Sequence, residues 1–187
     1  MMRQKLIEEI AKKIRENQPV TIGCVCTANK NRSAAAELVL RQRLKEAKLD
    51  RVKVRSAGLR TVRAGIDERP LRVVNPELSR TAPAQGIDSE ICESFTARQV
   101  RGEFVEEADL ILAAGPDHKE FLEYHFPQSR GKVVLFSDLV PSHPLFQMFG
   151  AEFPDPQSGR VSVLQLLRLI DQTVVRPLLG LATESWG

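Results

Sequence analysis

The chain has 187 residues, of which 42% are hydrophobic and 27% are charged, and its formal net charge at pH 7 is +3. This length is sufficient for one α/β domain with a core and too short for two comfortable domains. The 27 basic and 24 acidic residues are interleaved, and no apolar run approaches the ~20 residues of a membrane span, so neither nucleic acid nor membrane is an indicated partner.

The chain has three cysteines. An odd number in a chain of this size does not form a disulfide framework, so we expect free thiols in a reducing compartment. The N-terminal residues alternate charges with apolar side chains and lack the apolar stretch of a signal peptide. We therefore expect a soluble, cytoplasmic protein.

Residues 1–18 are predicted to form an amphipathic helix, with an apolar stripe at Leu6, Ile7, Ile10 and Ile14. We expect this stripe to pack on the rest of the chain rather than to mediate self-association. Residues 19–187 are predicted to form a single domain to which this helix is an extension.

The next segment, VTIGCVC at 20–26, is the short β-branched run of a strand buried on both faces. From Ser33 the apolar residues recur at helical spacing, which predicts a helix. The later predicted elements are a strand at 53–58, a turn-rich segment at 59–71, a helix within 74–85 stopped by Gly86, a strand at 108–115, a helix from Pro116, a strand at 132–136, a mostly irregular stretch at 137–159, and a long amphipathic helix at 159–183 that is kinked or ended near Pro177.

Alternating strands and helices predict an α/β fold with a mainly parallel four-stranded sheet and helices on both faces. Ligands of such sheets bind at the carboxyl ends of the strands. Cys26 ends the first predicted strand, which places it where chemistry is expected.

The polar loop after Cys26 precedes Arg32, Ser33 and a helix, which is the order that an anion-binding loop requires. Backbone N–H groups and the helix dipole favour an anion there, and the planar fork of Arg32 suits a tetrahedral oxyanion. The same positive field favours the thiolate form of Cys26 and makes it a nucleophile. The alternative interpretation is a small buried cysteine near a solvated arginine.

Six ordered motifs resemble the low molecular weight protein tyrosine phosphatase family over roughly residues 19–183. They are VCTANKNRS, SAG at 56–58, GID at 86–88, ARQ at 97–99, ADLILAAGPDHK at 108–119 and PDP at 154–156. The resemblance implies a phosphotyrosine phosphatase I-like fold and metal-free phosphomonoester hydrolysis through a phosphocysteine.

The resemblance also implies the roles of individual residues. Cys26 would attack phosphorus, Arg32 would hold the phosphoryl oxygens, and Ser33 would donate a hydrogen bond to the thiolate. Asp155 would protonate the leaving oxygen and then activate water, although a Pro-Asp-Pro sequence is also an ordinary rigid turn. Asn29 would fix the loop with Ser56 as its support, and the remaining substrate-binding positions would be Thr27, Ala28, Lys30 and Asn31.

The chain departs from the family pattern at three loop positions. Ala28 replaces a usual glycine and would restrict the backbone if that position required a positive φ. Lys30 replaces a small or apolar pocket residue, and Asn31 replaces a second cysteine that many members use for a protective disulfide. Cys24 we interpret mainly as a core residue, with a redox partnership to Cys26 as the alternative.

The residues after Asp155 also depart from the family, because Gln157 and Ser158 stand where aromatic residues often follow. No aromatic residue is present at 59–66. A phosphotyrosine ring gains from aromatic walls, so we hypothesise that phosphotyrosine is not the preferred substrate.

Two other functions stay open from the sequence. A phosphatase fold that only binds phosphate would result if Ala28, Lys30 and Asn31 spoiled catalysis. An arsenate reductase would need a cysteine relay, and the strand before Gly115 carries none. His118, His125 and His143 lack metal-ligand spacing, so we expect neither metal nor cofactor, and the expected partner is a phosphorylated protein or a small phosphomonoester.

Overall fold

A four-stranded sheet positions the site. The computed structural model describes residues 2–59 and 75–180. In these residues the strands are β1 (Val20–Cys26), β2 (Val52–Gly58), β3 (Leu110–Ala113) and β4 (Val133–Leu135). All neighbouring strands are parallel, in the order β2-β1-β3-β4. The predicted parallel four-stranded sheet is confirmed.

Helices cover both faces of this sheet, as predicted. One core contains apolar residues of the first to fourth and seventh to ninth helices, and the other core contains residues of the fifth and sixth. None of the helices in the described ranges has the length and apolar character needed to cross a bilayer. The helices are α1 (Met2–Arg15), α2 (Arg32–Glu46), α3 (Pro76–Ala84), α4 (Ser89–Glu93), α5 (Gly102–Glu107), α6 (Pro116–His125), α7 (Pro144–Phe149), α8 (Val163–Ile170) and α9 (Arg176–Leu179).

Strand β1 is central and buried on both faces. Its alternation directs Cys24 and Cys26 into the first core and Val25 into the second. The strand ends at Cys26, and α2 begins at Arg32 after a five-residue connection, the β1–α2 loop (27–31). The nucleophile candidate therefore lies at the carboxyl edge of the sheet.

Helix α1 is part of the core. Ile7, Ile10 and Ile14 are buried in the same apolar cluster as the residues of α2 and α8, and α1 contacts α9 and β1. The apolar stripe thus packs on the rest of the chain, in agreement with the expectation from its pattern.

The stretch 137–159 is more helical than predicted. It contains α7, and 3-10 turns occupy Phe136–Leu139 and Pro156–Ser158. Two of the four prolines that suggested irregular structure, Pro144 and Pro156, instead occupy the first positions of α7 and of the second turn, where a missing N–H costs nothing. Two further short helices, α4 and α5, were also not predicted. The turn-rich assignment at 60–71 lies outside the described residues.

The long C-terminal helix is interrupted earlier than Pro177. Between α8 and α9, Asp171–Val175 is π-helical. Pro177 has no N–H to donate to the preceding turn, so the helix widens ahead of it. Thr173 Oγ1 donates to Leu169 O at 2.6 Å, and Gly180, with φ +68°, ends α9.

We predict that Ile14→Ala lowers the free energy of unfolding by about 2–5 kcal/mol, because it leaves a cavity where a fully buried side chain was. Urea denaturation of the full chain measures this. Lys12→Ala, at an exposed position of the same helix, is the control and should change stability by at most about 0.5 kcal/mol. Equal effects of both variants would contradict the assignment of α1 to the core.

Candidate active site

The β1–α2 loop brings Cys26 and Ser33 together. Cys26 is 3% exposed, and its Sγ lies 2.9 Å from the hydroxyl oxygen of Ser33 in the first turn of α2. Asn31 precedes the helix, and its carbonyl accepts a hydrogen bond from Ala35 N at 2.7 Å. The thiol therefore lies at the entrance of a helix, where the dipole favours a negative charge.

Asn29 fixes the shape of the loop. It has a φ of +53°, a left-handed conformation that asparagine tolerates better than most residues. Its side-chain amide donates to Ser33 Oγ at 3.0 Å and to Ser56 Oγ at 2.7 Å, and its Oδ1 accepts from Arg98 N at 2.9 Å. Ala28 is not among the residues with positive φ. The restriction considered for Ala28 therefore does not arise, because Asn29 makes the turn.

A buried carboxylate supports this arrangement from below. Glu37 is 2% exposed and accepts from Ser56 N at 2.8 Å and from Ser56 Oγ at 2.6 Å. Arg41 and Arg98 lie 3.7 and 3.8 Å from its oxygens. Burial raises the pKa of Glu37, and the Ser56 hydrogen bond and the two arginines oppose that rise. Ser56 thus hydrogen-bonds both to Asn29 of the β1–α2 loop and to the buried Glu37 of α2.

Arg32 is 6% exposed and is held mainly through Nη1. This nitrogen donates to the Glu152 carboxylate and to Phe153 O, the latter at 3.3 Å. Nη2 makes a long contact of 3.5 Å with Thr27 Oγ1. Nε lies 3.0 Å from an Asp155 oxygen without hydrogen-bond geometry, and it is a buried donor that has no hydrogen-bond partner. The Nε side of the guanidinium therefore has an unused hydrogen-bond donor, with the Asp155 carboxyl beside it.

Asp155 lies at the same opening. Its Oδ1 accepts from Asn31 Nδ2 at 3.0 Å and from Gln157 N at 3.0 Å. The second bond belongs to the turn that the Pro-Asp-Pro sequence predicted, so Asp155 both forms a turn and faces Arg32. Asn31 in turn accepts from Asn75 Nδ2 at 2.8 Å. The residue in place of the second loop cysteine thus links the β1–α2 loop to the Asp155 segment.

The remaining loop positions differ in exposure. Lys30 is partly exposed, and its carbonyl accepts from Asn75 N at 3.3 Å. Thr27 is exposed, and its hydroxyl lies 2.9 Å from Nε2 of buried His118. Burial and the charge of Arg32 lower the pKa of His118 to about 4, so its imidazole is neutral near pH 7. His118 therefore adds no positive charge beside the loop.

Cys24, Cys26 and Cys92 are free thiols. Cys24 is fully buried, and burial raises the pKa of its thiol well above the ordinary value. It remains protonated, as expected of a core cysteine. Across residues 2–59 and 75–180, no group of three or more His, Cys, Asp or Glu side chains is arranged to hold a metal ion.

Sequence reasoning did not find Glu37 or Glu152. Glu37 is a lone acidic residue in the apolar first half of α2, and this is the one signal that could have identified it as buried. Glu152 lies three residues before Asp155, and nothing local indicates its contact with Arg32. Half-buried Glu152 has a raised pKa because of desolvation, which the charge of Arg32 opposes.

Comparison with solved structures gives the same fold. A YwlE mutant from Bacillus subtilis is 25% identical with a TM-score of 0.68, and the match covers 86% of this chain and 97% of that one. Vibrio vulnificus Wzb, solved with benzylphosphonate, is 26% identical with a TM-score of 0.61, covering 82% and 93%. YfkJ from Bacillus subtilis is 21% identical with a TM-score of 0.67, covering 84% and 93%.

Comparison with curated protein sequences gives no match. A family model described as low molecular weight phosphotyrosine protein phosphatase matches residues 21–176, from the second residue of β1 to the first residue of α9. This span contains the sheet except for the first residue of β1, and the β1–α2 loop with Asp155 beside it. The chain therefore belongs to the low molecular weight phosphotyrosine protein phosphatase family.

Proposed function

We propose that the protein hydrolyses phosphomonoesters without a metal ion, through a phosphocysteine at Cys26. The observation that supports this proposal is that three groups lie together at the β1–α2 loop. They are the Cys26 thiol at a helix entrance, the unpartnered Nε of Arg32, and the carboxyl of Asp155. Family membership supports phosphatase activity and leaves the intermediate and the substrate to be established.

In the first step, the Cys26 thiolate attacks phosphorus while the bond to the leaving oxygen breaks. Ser33, 2.9 Å from Sγ, donates to the sulfur and stabilises the thiolate. Arg32 and the backbone amides of 27–32 bind the equatorial oxygens, on which the transition state carries its charge. Protonated Asp155 gives its proton to the leaving oxygen, so that an alcohol or phenol departs.

In the second step, Asp155 is a carboxylate and accepts a proton from water. The water oxygen attacks the phosphorus of the phosphocysteine, the S–P bond breaks, and inorganic phosphate and the Cys26 thiolate result. Asn31 Nδ2 orients Asp155 through its hydrogen bond to Oδ1. Asn29, held by Ser33 and Ser56, keeps the loop amides in place through both steps.

We further propose that phosphotyrosine is not the preferred substrate. Exposed Gln157 and Ser158 follow Asp155, whereas the nearby Phe146 and Phe153 are buried in the core and contact each other. Partly exposed Lys30 lies on the loop itself and favours a substrate with additional negative charge. A reducing compartment, which we propose to be the cytoplasm, would keep Cys26 in its free form.

We predict that the native protein hydrolyses para-nitrophenyl phosphate in the presence of EDTA and reductant. Cys26→Ser should reduce turnover to background because it removes the nucleophile. Arg32→Ala should lower kcat by about 10²- to 10³-fold, and Asp155→Ala by about 10²- to 10⁴-fold. Cys92→Ser, which changes a thiol outside the site, is the control and should retain native turnover.

Other outcomes, in this assay or in the corresponding binding and arsenate assays, would support the alternative functions. Phosphate or vanadate binding by an inert native protein would replace hydrolysis with a binding function. Arsenate-dependent oxidation of thioredoxin would instead establish an arsenate reductase. Full activity in Cys26→Ser would exclude the phosphocysteine.

We predict that kcat/KM for a phosphotyrosyl peptide is no higher than for small nonaromatic phosphomonoesters, because none of the three residues directly after Asp155 is aromatic. The measurement is phosphate release from a panel of both classes at equal concentration. Replacing Gln157 by Tyr should raise the relative rate on the peptide, and Ser129→Ala, at a buried position away from the site, is the control. A native protein that strongly prefers the peptide would contradict the proposal.

A further inference from the structure

Glu152 contacts the guanidinium of Arg32 without belonging to the β1–α2 loop or to its helix. It lies between α7 and the Pro156–Ser158 turn, three residues before Asp155. Its carboxylate accepts from Arg32 Nη1, and its side chain is 43% exposed. This contact requires space for the Glu152 side chain next to Arg32.

Gly115 provides the space. This residue follows β3 and precedes α6, and a Cβ built on it would overlap the Glu152 carboxylate. The φ of Gly115 is −168°, an extended value that any residue adopts. Glycine at position 115 therefore gives Glu152 space, and the backbone conformation does not require it.

The contact with Glu152 uses one edge of the guanidinium. Nη1 is held by Glu152 and by Phe153 O, two acceptors from the same segment. Nε and the adjacent side of Nη2 form the other edge, where Asp155 Oδ2 lies 3.0 Å from Nε without a hydrogen bond and Nη2 makes only the 3.5 Å contact with Thr27. When an oxyanion binds beside Asp155, this edge can donate two parallel hydrogen bonds to it.

We propose that Glu152 is a positioning residue for Arg32, fixing the guanidinium so that its Nε–Nη2 edge faces the phosphoryl group. This inference rests on the proposed function, since the edge matters only if an oxyanion binds there. The segment that carries Glu152 also carries Asp155. It therefore positions both the anion-binding arginine and the acid. Displacement of that arginine by about 1 Å is enough to cost about 10²-fold in rate.

Equilibrium binding of inorganic phosphate to the Cys26→Ser protein tests the proposal without turnover. Glu152→Ala in that background should weaken phosphate binding by about 10-fold, and Glu152→Gln, which keeps a hydrogen-bond acceptor, by about 3-fold. Gly115→Ala should weaken it as much as Glu152→Ala, because it expels the carboxylate. Glu120→Gln, an exposed charge on α6, should leave phosphate affinity within about 2-fold.

The double variant Gly115→Ala with Glu152→Ala separates this coupling from general damage. If both changes act through Glu152, the double variant binds phosphate no more weakly than either single variant. Additive losses would overturn the coupling. Thermal unfolding of each variant, with the midpoint within a few degrees of the Cys26→Ser protein, shows that the fold is retained.

The outcomes distinguish this proposal from the proposed function. Phosphate binding that is unchanged or tighter in Glu152→Ala would overturn the positioning role even if the native enzyme turns over. Weakened binding together with an inert native protein would support Glu152 and reject the hydrolase. Absence of phosphate binding in both the native and the Cys26→Ser proteins would overturn the anion site itself.

Discussion

The site depends on the left-handed backbone turn at Asn29. A five-residue connection between a buried strand and a helix can surround an anion only if the chain reverses sharply. Asn29 makes that reversal at a φ of +53°, and its side chain bonds to Ser33, Ser56 and the backbone of Arg98. The amide therefore offsets the strain of its own backbone and connects three separate segments.

Below Asn29, the support is the buried carboxyl group of Glu37. Glu37 accepts two hydrogen bonds from Ser56, and a carboxylate in the interior is tolerated only with such partners. Because Ser56 also accepts from Asn29, the loop is coupled to the helix behind it by consecutive hydrogen bonds. Rigid support of this kind preorganises a site for charge that appears only in the transition state.

The sequence predicts the fold well because its signals are local. Buried strand runs and helical periodicity are each visible within about ten residues, and they placed Cys26 at the end of a strand and Arg32 at the start of the following helix. The π-helical stretch was not predicted, since it results from the combined effect of Pro177 and the backbone hydrogen bonds before it. The helix α7 was missed because proline at a first helical position resembles proline in a loop.

The contacts of the site could be predicted only in part. Cys26 and Ser33 lie at the two ends of the β1–α2 loop, so their contact follows from a strand that leads directly into a helix. Glu152 meets Arg32 across 120 positions, and that contact depends on the space above Gly115. A single sequence contains no local signal for such a pair.

Helix α1 packs against α9, so elements from opposite ends of the described chain share one core. On the ribosome, α9 emerges roughly 160 residues after α1, so α1 lacks part of its packing surface during most of synthesis. Contacts of such large separation also close the longest loop in the fold and carry the corresponding entropic cost. Part of the apolar stripe of α1 therefore stays uncovered until α9, the last helix of the described residues, is made, and during that interval the uncovered part is an apolar surface of the kind that chaperones bind.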